Sequence, residues 1–410
     1  MNIPFFIAKR YLVSKKSNNA INIISWISIS AIAIATAALL IILSFMNGLT
    51  GMVKDLYNSF NPDLVILPAK GKTFTPDSIK LVRLSKVAGV TCLNYSIEEN
   101  ALLKYGDKQA FATVKAVGSN FFSVTGMDKR VEYGPAILKG LDGNYIIAGK
   151  GLVYELGVVI QNKLMPIMLY APKRGNVARF TVEDALNEEA LLPTALFSIN
   201  DEFDFKYVIV DLNVGRSLFG YEKEITSIDI AINPAANPNK VKTDLMKIFG
   251  EDYLIKDRFE QNKVLFTTLQ TEKLAVFLVL IFVLIVATFN IIGSLIMLIA
   301  EKKKDLVTLN NMGAGISLIR KIFVYEGLMI VFSGAVAGLF LGLLICLIQK
   351  NFEIITMNGL GREIPYPVEI IWSDFALILV GVFFIGVIAI MFPVRIFTKK
   401  SVMEKFRTAY

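Results

Sequence analysis

Residues 22–47, 274–300, 327–349 and 375–394 of this chain contain no charged side chain at all. Each run meets or exceeds the roughly 20 residues that a helix needs to cross the hydrocarbon core of a bilayer. Lipid offers no partner to backbone N–H and C=O groups, so such runs are read as helices. One Lys or Asp at the centre of a spanning helix costs on the order of 3 kcal/mol on insertion. Four uncharged runs in a chain that is 19% charged are therefore a strong signal of four transmembrane helices. The first run follows Lys9, Arg10, Lys15 and Lys16, as a signal peptide would. Its apolar stretch is longer than the about 7–15 residues of a signal core, and no convincing cleavage site follows. An uncleaved anchor is expected.

Orientation follows from the basic residues. Besides the four amino-terminal ones, Lys302, Lys303, Lys304, Arg320 and Lys321 lie between the second and third runs, and Arg395, Lys399, Lys400, Lys405 and Arg407 follow the fourth. The 350–373 connection carries only Lys350 and Arg362. The positive-inside rule then places both termini and the 301–321 connection in the cytoplasm. The predicted order is an amphipathic lead (1–21), a span (22–47), an external domain (48–273), a span (274–300), a cytoplasmic helical connection (301–321), a span (322–349), a short external loop (350–373), a span (374–396) and a cytoplasmic tail (397–410). The net charge of +8 is mostly this topology signal, and nucleic acid is not an expected partner.

The external segment is long enough for one or two folded domains. DLVILP (63–68), a helical stretch at 75–89 and VTCLNY (90–95) read strand–helix–strand, and 225–232, 237–250 and 252–255 repeat the pattern. In both, Pro lies near the helix start and Gly follows its end. These units predict one α/β subdomain built from 48–95 and 225–255, with a mostly β insertion at 96–224. Within it, Gly106–Asp107 separates two alternating runs as a hairpin turn would. Strand-like runs at 163–170 and 178–186 flank APKRGNV, whose Pro172, Lys173, Arg174, Gly175 and Asn176 mark a protruding basic turn. That turn reads either as an ordinary solvated hairpin tip or as a contact loop for a soluble partner.

Several chemistries are missing. The chain has no histidine, so the commonest zinc ligand and general base are absent. Cys92 and Cys346 are far apart and the second lies in an apolar run, which argues against a disulfide. GNYIIAGKG (143–151) has the wrong spacing for a phosphate-binding loop and reads as a strand entering a helix. Neither catalytic nor metal-ligating residues are expected. Glu326 is expected at headgroup level, leaving the spans without an ion relay. Gly334, Gly338 and Gly342 recur every four residues, a face that admits close helix approach, either within the chain or toward a symmetric partner.

Between the second and third spans, AEKKKDLVTLNNMGAG sets Leu306, Leu309, Gly313 and Ile316 at helical spacing among charges. This arrangement resembles the FtsX/MacB-type permeases of ATP-driven export machines, and among them the lipoprotein-releasing LolC/LolE type. FFIAKRYL with the following first span, the 287–314 segment and IFVYEGLMIVFSGAVAGLFLG carry the resemblance, which runs over essentially the whole chain. It implies a type VII ABC transporter-like fold: a membrane α-helical protein of four transmembrane helices with a large extracytoplasmic α+β domain inserted between the first and second.

The resemblance also implies a permease subunit of the bacterial inner membrane that binds no cofactor itself. ATP and Mg²⁺ would be held by a separate cytoplasmic ABC ATPase (LolD-like). Glu301, Lys302, Lys303, Asp305, Leu306, Leu309 and Gly313 would couple to that ATPase; a merely snorkelling basic cluster is the plainer alternative. By position 171–179 would be a hook for a periplasmic lipoprotein carrier (LolA-like). Leu43, Phe45 and Met46 with Phe277, Leu278 and Ile281 would line a lipid-entry cavity for the lipoprotein substrate, or else face membrane lipids. A second permease copy or a sister permease would complete the complex. An antibiotic or peptide exporter of the MacB type and a non-transporting mechanotransmitter of the FtsX type that activates a cell-wall hydrolase are the alternatives.

Overall fold

The computed structural model describes residues 3–13, 19–140, 143–160, 162, 164–174, 185–359 and 362–397. The chain divides into two compact units, one made of 1–52, 267–358 and 363–410 and the other of 53–266 and 359–362.

The chain opens with α1 (Ile3–Val13) and α2 (Asn19–Asn58). The helix α2 outruns the charge-free run expected to end at 47, because nothing stops it there: Gly48 and Gly51 stay helical. A Cβ on Gly48 would lie 2.2 Å from the Pro367 carbonyl oxygen, so the glycine serves close backbone approach, not helix termination. The last turns of α2 contribute Val53, Leu56 and Tyr57 to an aromatic-rich core with Phe60, Phe121, Phe197, Phe203 and Tyr207 in the second unit.

That unit proceeds through β1 (Leu64–Pro68), α3 (Ser78–Leu84), β2 (Val90–Tyr105), β3 (Lys108–Val117), α4 (Phe121–Thr125), β4 (Val131–Tyr133), β5 (Lys139–Gly140), β6 (Gly143–Gly149), α5 (Lys150–Leu156), β7 (Ile167–Pro172), β8 (Leu186–Phe197), α6 (Asp201–Asp204), β9 (Tyr207–Asp211), α7 (Leu212–Phe219), β10 (Ser227–Ile232), α8 (Pro238–Phe249), β11 (Tyr253–Asp257) and α9 (Arg258–Gln261). Asp77 caps α3 by accepting from the Ile79 N–H, and Asn237 caps α8 ahead of Pro238 at its first turn. The two helices share an apolar core with β1, β10 and β11 through Leu64, Ile66, Leu84, Ile228, Ile230, Leu245 and Ile255.

The boundary expected at 95/96 falls inside a strand. The strand β2 pairs with β10 over its first half and with β7 near its end, so one sheet passes without a break from the α/β part into the insertion. From β2 the pairings run β3, β9, β6, β8, β7 and back to β2, a closed ring. Alternate residues such as Leu103, Ala112, Val210, Ile146, Leu169 and Leu191 fill its core, with α5 and α7 contributing Leu152 and Leu218. Gly106, at φ +59°, makes the β2–β3 turn.

The first unit resumes at 267 within α10 (Lys263–Glu301), and the chain continues through α11 (Lys303–Asn311), α12 (Ile316–Phe352), the short strands β12 (Thr356–Gly359) and β13 (Arg362–Pro365), and α13 (Trp372–Phe397). Among the described residues α2, α10, α12 and α13 are the four helices long and apolar enough to span a membrane. Their common core holds Leu39, Leu43, Leu284, Leu295, Phe323, Ile330 and Ile390. The 301–321 connection is not one helix. Gly313 takes φ +91°, in the left-handed region that favours glycine, and ends α11, so 316–321 belong to the helix of the third span.

Candidate functional site

The charged turn is pinned from its first residue. Lys302 has its ammonium 5.1 Å above the Tyr11 ring of α1 and 3.8 Å from the Asp305 carboxylate. Burial, followed by the nearby carboxylates of Asp305 and Glu326, pushes the Tyr11 phenol up to about 12, so it stays neutral at physiological pH. Glu301, Lys302, Lys303 and Leu309 are half-buried, whereas Asp305 and Gly313 are exposed.

Leu306 corrects the expected docking ridge. It is 1% exposed and belongs to the spanning-helix core with Leu298, Ile299, Ile319 and Phe323. The break at Gly313 changes the helical phase, so Leu306 and Ile316 do not continue one outward stripe. The open face of α11 is instead Lys304, Asp305, Thr308 and Asn311, ending at Met312, which is 79% exposed. Met312 is inconspicuous in the sequence because it sits among asparagines and glycines. Its spacing of four from Thr308 is the available signal.

Glu326 is enclosed by protein. Its side chain is fully buried in α12, and neither carboxylate oxygen has a hydrogen-bond partner. Lys302 is the cation whose field reaches it. The neighbouring Tyr325 ring meets Phe5 of α1 edge-on, with centroids 5.9 Å apart.

The three glycines of α12 lie directly against α2. A Cβ on Gly338 would be 2.4 Å from the Ala33 carbonyl oxygen and 2.6 Å from the Thr36 Cβ. One on Gly334 would meet Ile32 at 2.8 Å, and one on Gly342 the Ala37 carbonyl oxygen at 3.1 Å. In this chain the small-residue face is filled from within.

The six residues expected to line a lipid cavity do not share one environment. Leu43 is packed into the core with Leu280 and Leu284, which removes it from any open lining in this conformation. Phe45 packs on Tyr366 at 5.2 Å, while Met46, Phe277 and Ile281 are half-buried. Only Leu278 is well exposed. Beside Met46, Asn47 is buried and uses both ends of its amide. Its oxygen accepts from Lys273 Nζ at 2.6 Å, and its NH₂ donates to Asp374 at 2.6 Å.

Of the basic turn, Gly175 and Asn176 lie outside the described residues. Pro172 ends β7 opposite Leu186, and the exposed Lys173 donates its N–H to the Ala185 carbonyl at 2.8 Å. Arg174 is occupied within the domain. Its guanidinium stacks 3.8 Å above Tyr221, hydrogen-bonds the phenol, and lies 3.9 Å from Glu99, which also pairs with Lys72. Burial and then the Glu99 carboxylate push the Tyr221 phenol up to about 12. Arg174 is thus held against Tyr221 and Glu99 while its side chain stays about half exposed. Among the described residues no group of His, Cys, Asp and Glu is placed to hold a metal.

Four helices long and apolar enough to span a membrane, a half-buried charged turn and a large inserted α+β domain define the class of protein as a membrane protein with a folded domain between its first two spans. The chain matches the family models for the MacB-like periplasmic core domain over residues 25–248 and for the FtsX-like permease C-terminal region over residues 277–402. It belongs to the FtsX/MacB family of ABC transporter permeases. It is 22% identical to the lipoprotein-releasing system transmembrane protein LolE of Haemophilus influenzae, over 96% of either chain. With the protein LolC of Neisseria meningitidis serogroup B it shares 25% identity over 99% of either chain. The periplasmic region of MacB from Actinobacillus actinomycetemcomitans superposes on 50% of this chain and 94% of its own, with a TM-score of 0.36 and 10% identity.

Proposed function

We propose that this permease is the membrane subunit of an ATP-driven complex of the bacterial inner membrane that extracts lipoproteins and hands them to a periplasmic carrier. The observation that carries the reading is similarity along nearly the full length to two lipoprotein-releasing permeases, across spans and inserted domain alike. The chain would do no covalent chemistry. A separate cytoplasmic ATPase would hold ATP and Mg²⁺, with both termini and the charged turn on its side of the membrane.

The geometry supports a division of labour in the turn. Leu306, buried with Ile319 and Phe323, ties α11 to the spanning helices, and Lys302 ties it to α1. Asp305, Thr308, Asn311 and Met312 form the outward face offered to an ATPase, flanked by the exposed Lys304. A short helix fixed on one face and polar with one flexible thioether on the other transmits a push as a rigid body. A second permease copy or sister permease, the lipoprotein and the carrier complete the proposed assembly.

The test is a release assay with the permease, its co-purifying ATPase, a labelled triacylated lipoprotein and a soluble carrier in liposomes. ATP-dependent transfer of label to the carrier, lost in Met312→Asp/Thr308→Glu, is the expected outcome. An intact complex that hydrolyses ATP but transfers no lipoprotein would remove this reading in favour of small-molecule export or mechanical signalling.

A further inference from the structure

The spanning helix α10 is the least buried of the four, whereas α2 is the most. Toward its start α10 exposes Leu274, Leu278, Val279, Phe282 and Val283 to its surroundings. Apolar packing thus holds this part of α10 on one side only. Leu43 of α2 shares an apolar core with Leu280 and Leu284 of α10, and at the level of Lys273 the described polar tie between the two helices is the buried Asn47 amide, with the Lys273 ammonium on its oxygen and the Asp374 carboxylate of α13 on its nitrogen. The cation fixes which way the oxygen points and the anion fixes the nitrogen, so the three groups form or break as one unit. Losing one contact strands a charge or a buried amide, which makes the arrangement two-state.

The surroundings of Asn47 are otherwise immobilised. The Gly48 backbone touches the Pro367 carbonyl region, and Glu369 donates its N–H to the Ser44 carbonyl at 3.0 Å. These contacts bind α2 to the segment leading into α13, not to α10. Far along the same helix pair, α2 and α10 meet again where the Ser28 hydroxyl donates to the Asn290 carbonyl at 3.2 Å. Release at Lys273 with retention at Ser28 would part the two helices as a wedge.

We propose that Lys273, Asn47 and Asp374 form a latch across α10, α2 and α13, whose opening admits an acyl chain between α2 and α10. The latch is a property of this chain alone; the acyl chain as its beneficiary rests on the lipoprotein-releasing function proposed above. Asn47, Lys273 and Asp374 are positioning residues in this scheme.

The two halves are separated by experiment. Spin labels at Ile42→Cys and Leu274→Cys, with Cys92→Ser, report the α2–α10 separation by pulsed electron resonance in the complete complex in nanodiscs. Asn47→Leu and Lys273→Met are expected to raise the longer-distance fraction by about tenfold over the parent, and Lys273→Arg to leave it near the parent level. Unchanged distances in both variants, or equal widening in Lys273→Arg and Lys273→Met, would overturn the latch. A triacylated lipopeptide with a photoreactive acyl chain is then offered to the same samples. Higher capture by Asn47→Leu supports acyl entry. Widening without higher capture leaves the latch standing and removes the acyl chain as its beneficiary.

Discussion

The helices α12 and α10 both pack on α2, and they are held by opposite means. Against α12 the contact is three glycines deep, with backbone so near that a single added carbon would meet a carbonyl oxygen. Against α10 the described polar ties are a buried amide with its lysine and a serine hydroxyl, while much of the helix stays exposed. Close packing of small residues has one solution and little tolerance. A few directional contacts can be exchanged for others. The first pairing is suited to a fixed frame and the second to a part that moves.

The largest effect that would break this contrast is on the fixed side. Gly338→Leu is expected to cost about 3 kcal/mol or more, because its Cβ would collide with the Ala33 carbonyl. Folded yield by size-exclusion of the detergent-solubilised protein measures it; a normal yield would mean that the seam tolerates separation. Next is Leu306→Asp, which places a carboxylate in the spanning-helix core at a cost of about 3 kcal/mol. Loss of membrane-inserted protein is expected, where an outward-facing leucine would leave insertion intact and affect only ATPase binding.

The inserted domain sharpens the comparison with a polar group held in a packed site. Burial pushes the Asp204 carboxyl up to about 6, against lowering by hydrogen bonds from the Ile199 N–H and the Ser198 hydroxyl. The folded state thus binds this proton more tightly than the unfolded state, whose value is 3.8. Its stabilising contribution is complete below about pH 4 and is lost as pH rises through about 6, at most about 3 kcal/mol. Amide-exchange protection across β9 should fall over that interval, and the fall should vanish in Asp204→Asn. On the α10 side, a Cβ added at Gly293 would meet no neighbouring side chain or helix within 4 Å. Gly293→Ala should therefore stabilise by about 0.5–1 kcal/mol, read as a higher melting temperature. The smallest stability effect belongs to Met312→Asp, within about 0.5 kcal/mol. Its consequence should be seen as weaker co-purification of the ATPase proposed above.

The spans were legible because charge is excluded from lipid, and the glycine seam because a spacing of four is a face. The phase change at Gly313 was not, since 306, 309, 313 and 316 fit one helix equally well until the glycine's positive φ is known. The enclosure of Glu326 was not legible either, because tertiary packing alone buries it. Asn47, Lys273 and Asp374 were hidden for a related reason. Each lies at or beside the end of an apolar run, where polar residues need no special cause, and nothing local relates positions 47, 273 and 374. The β2–β7 pairing is likewise non-local. Alternation identified the strands but could not say that they return to their starting neighbour.

The closed ring of β2, β3, β9, β6, β8 and β7 bears on what a polypeptide cargo would encounter. An open sheet edge is a template on which an extended, partly unfolded chain adds itself as another strand, and such additions seed aggregation. In the ring each strand has both neighbours, so over the paired positions that template is already taken. The sheet's path ends instead at β4, only three residues long, and at β11. A domain built this way offers an unfolded chain few unpaired strand positions outside those two ends.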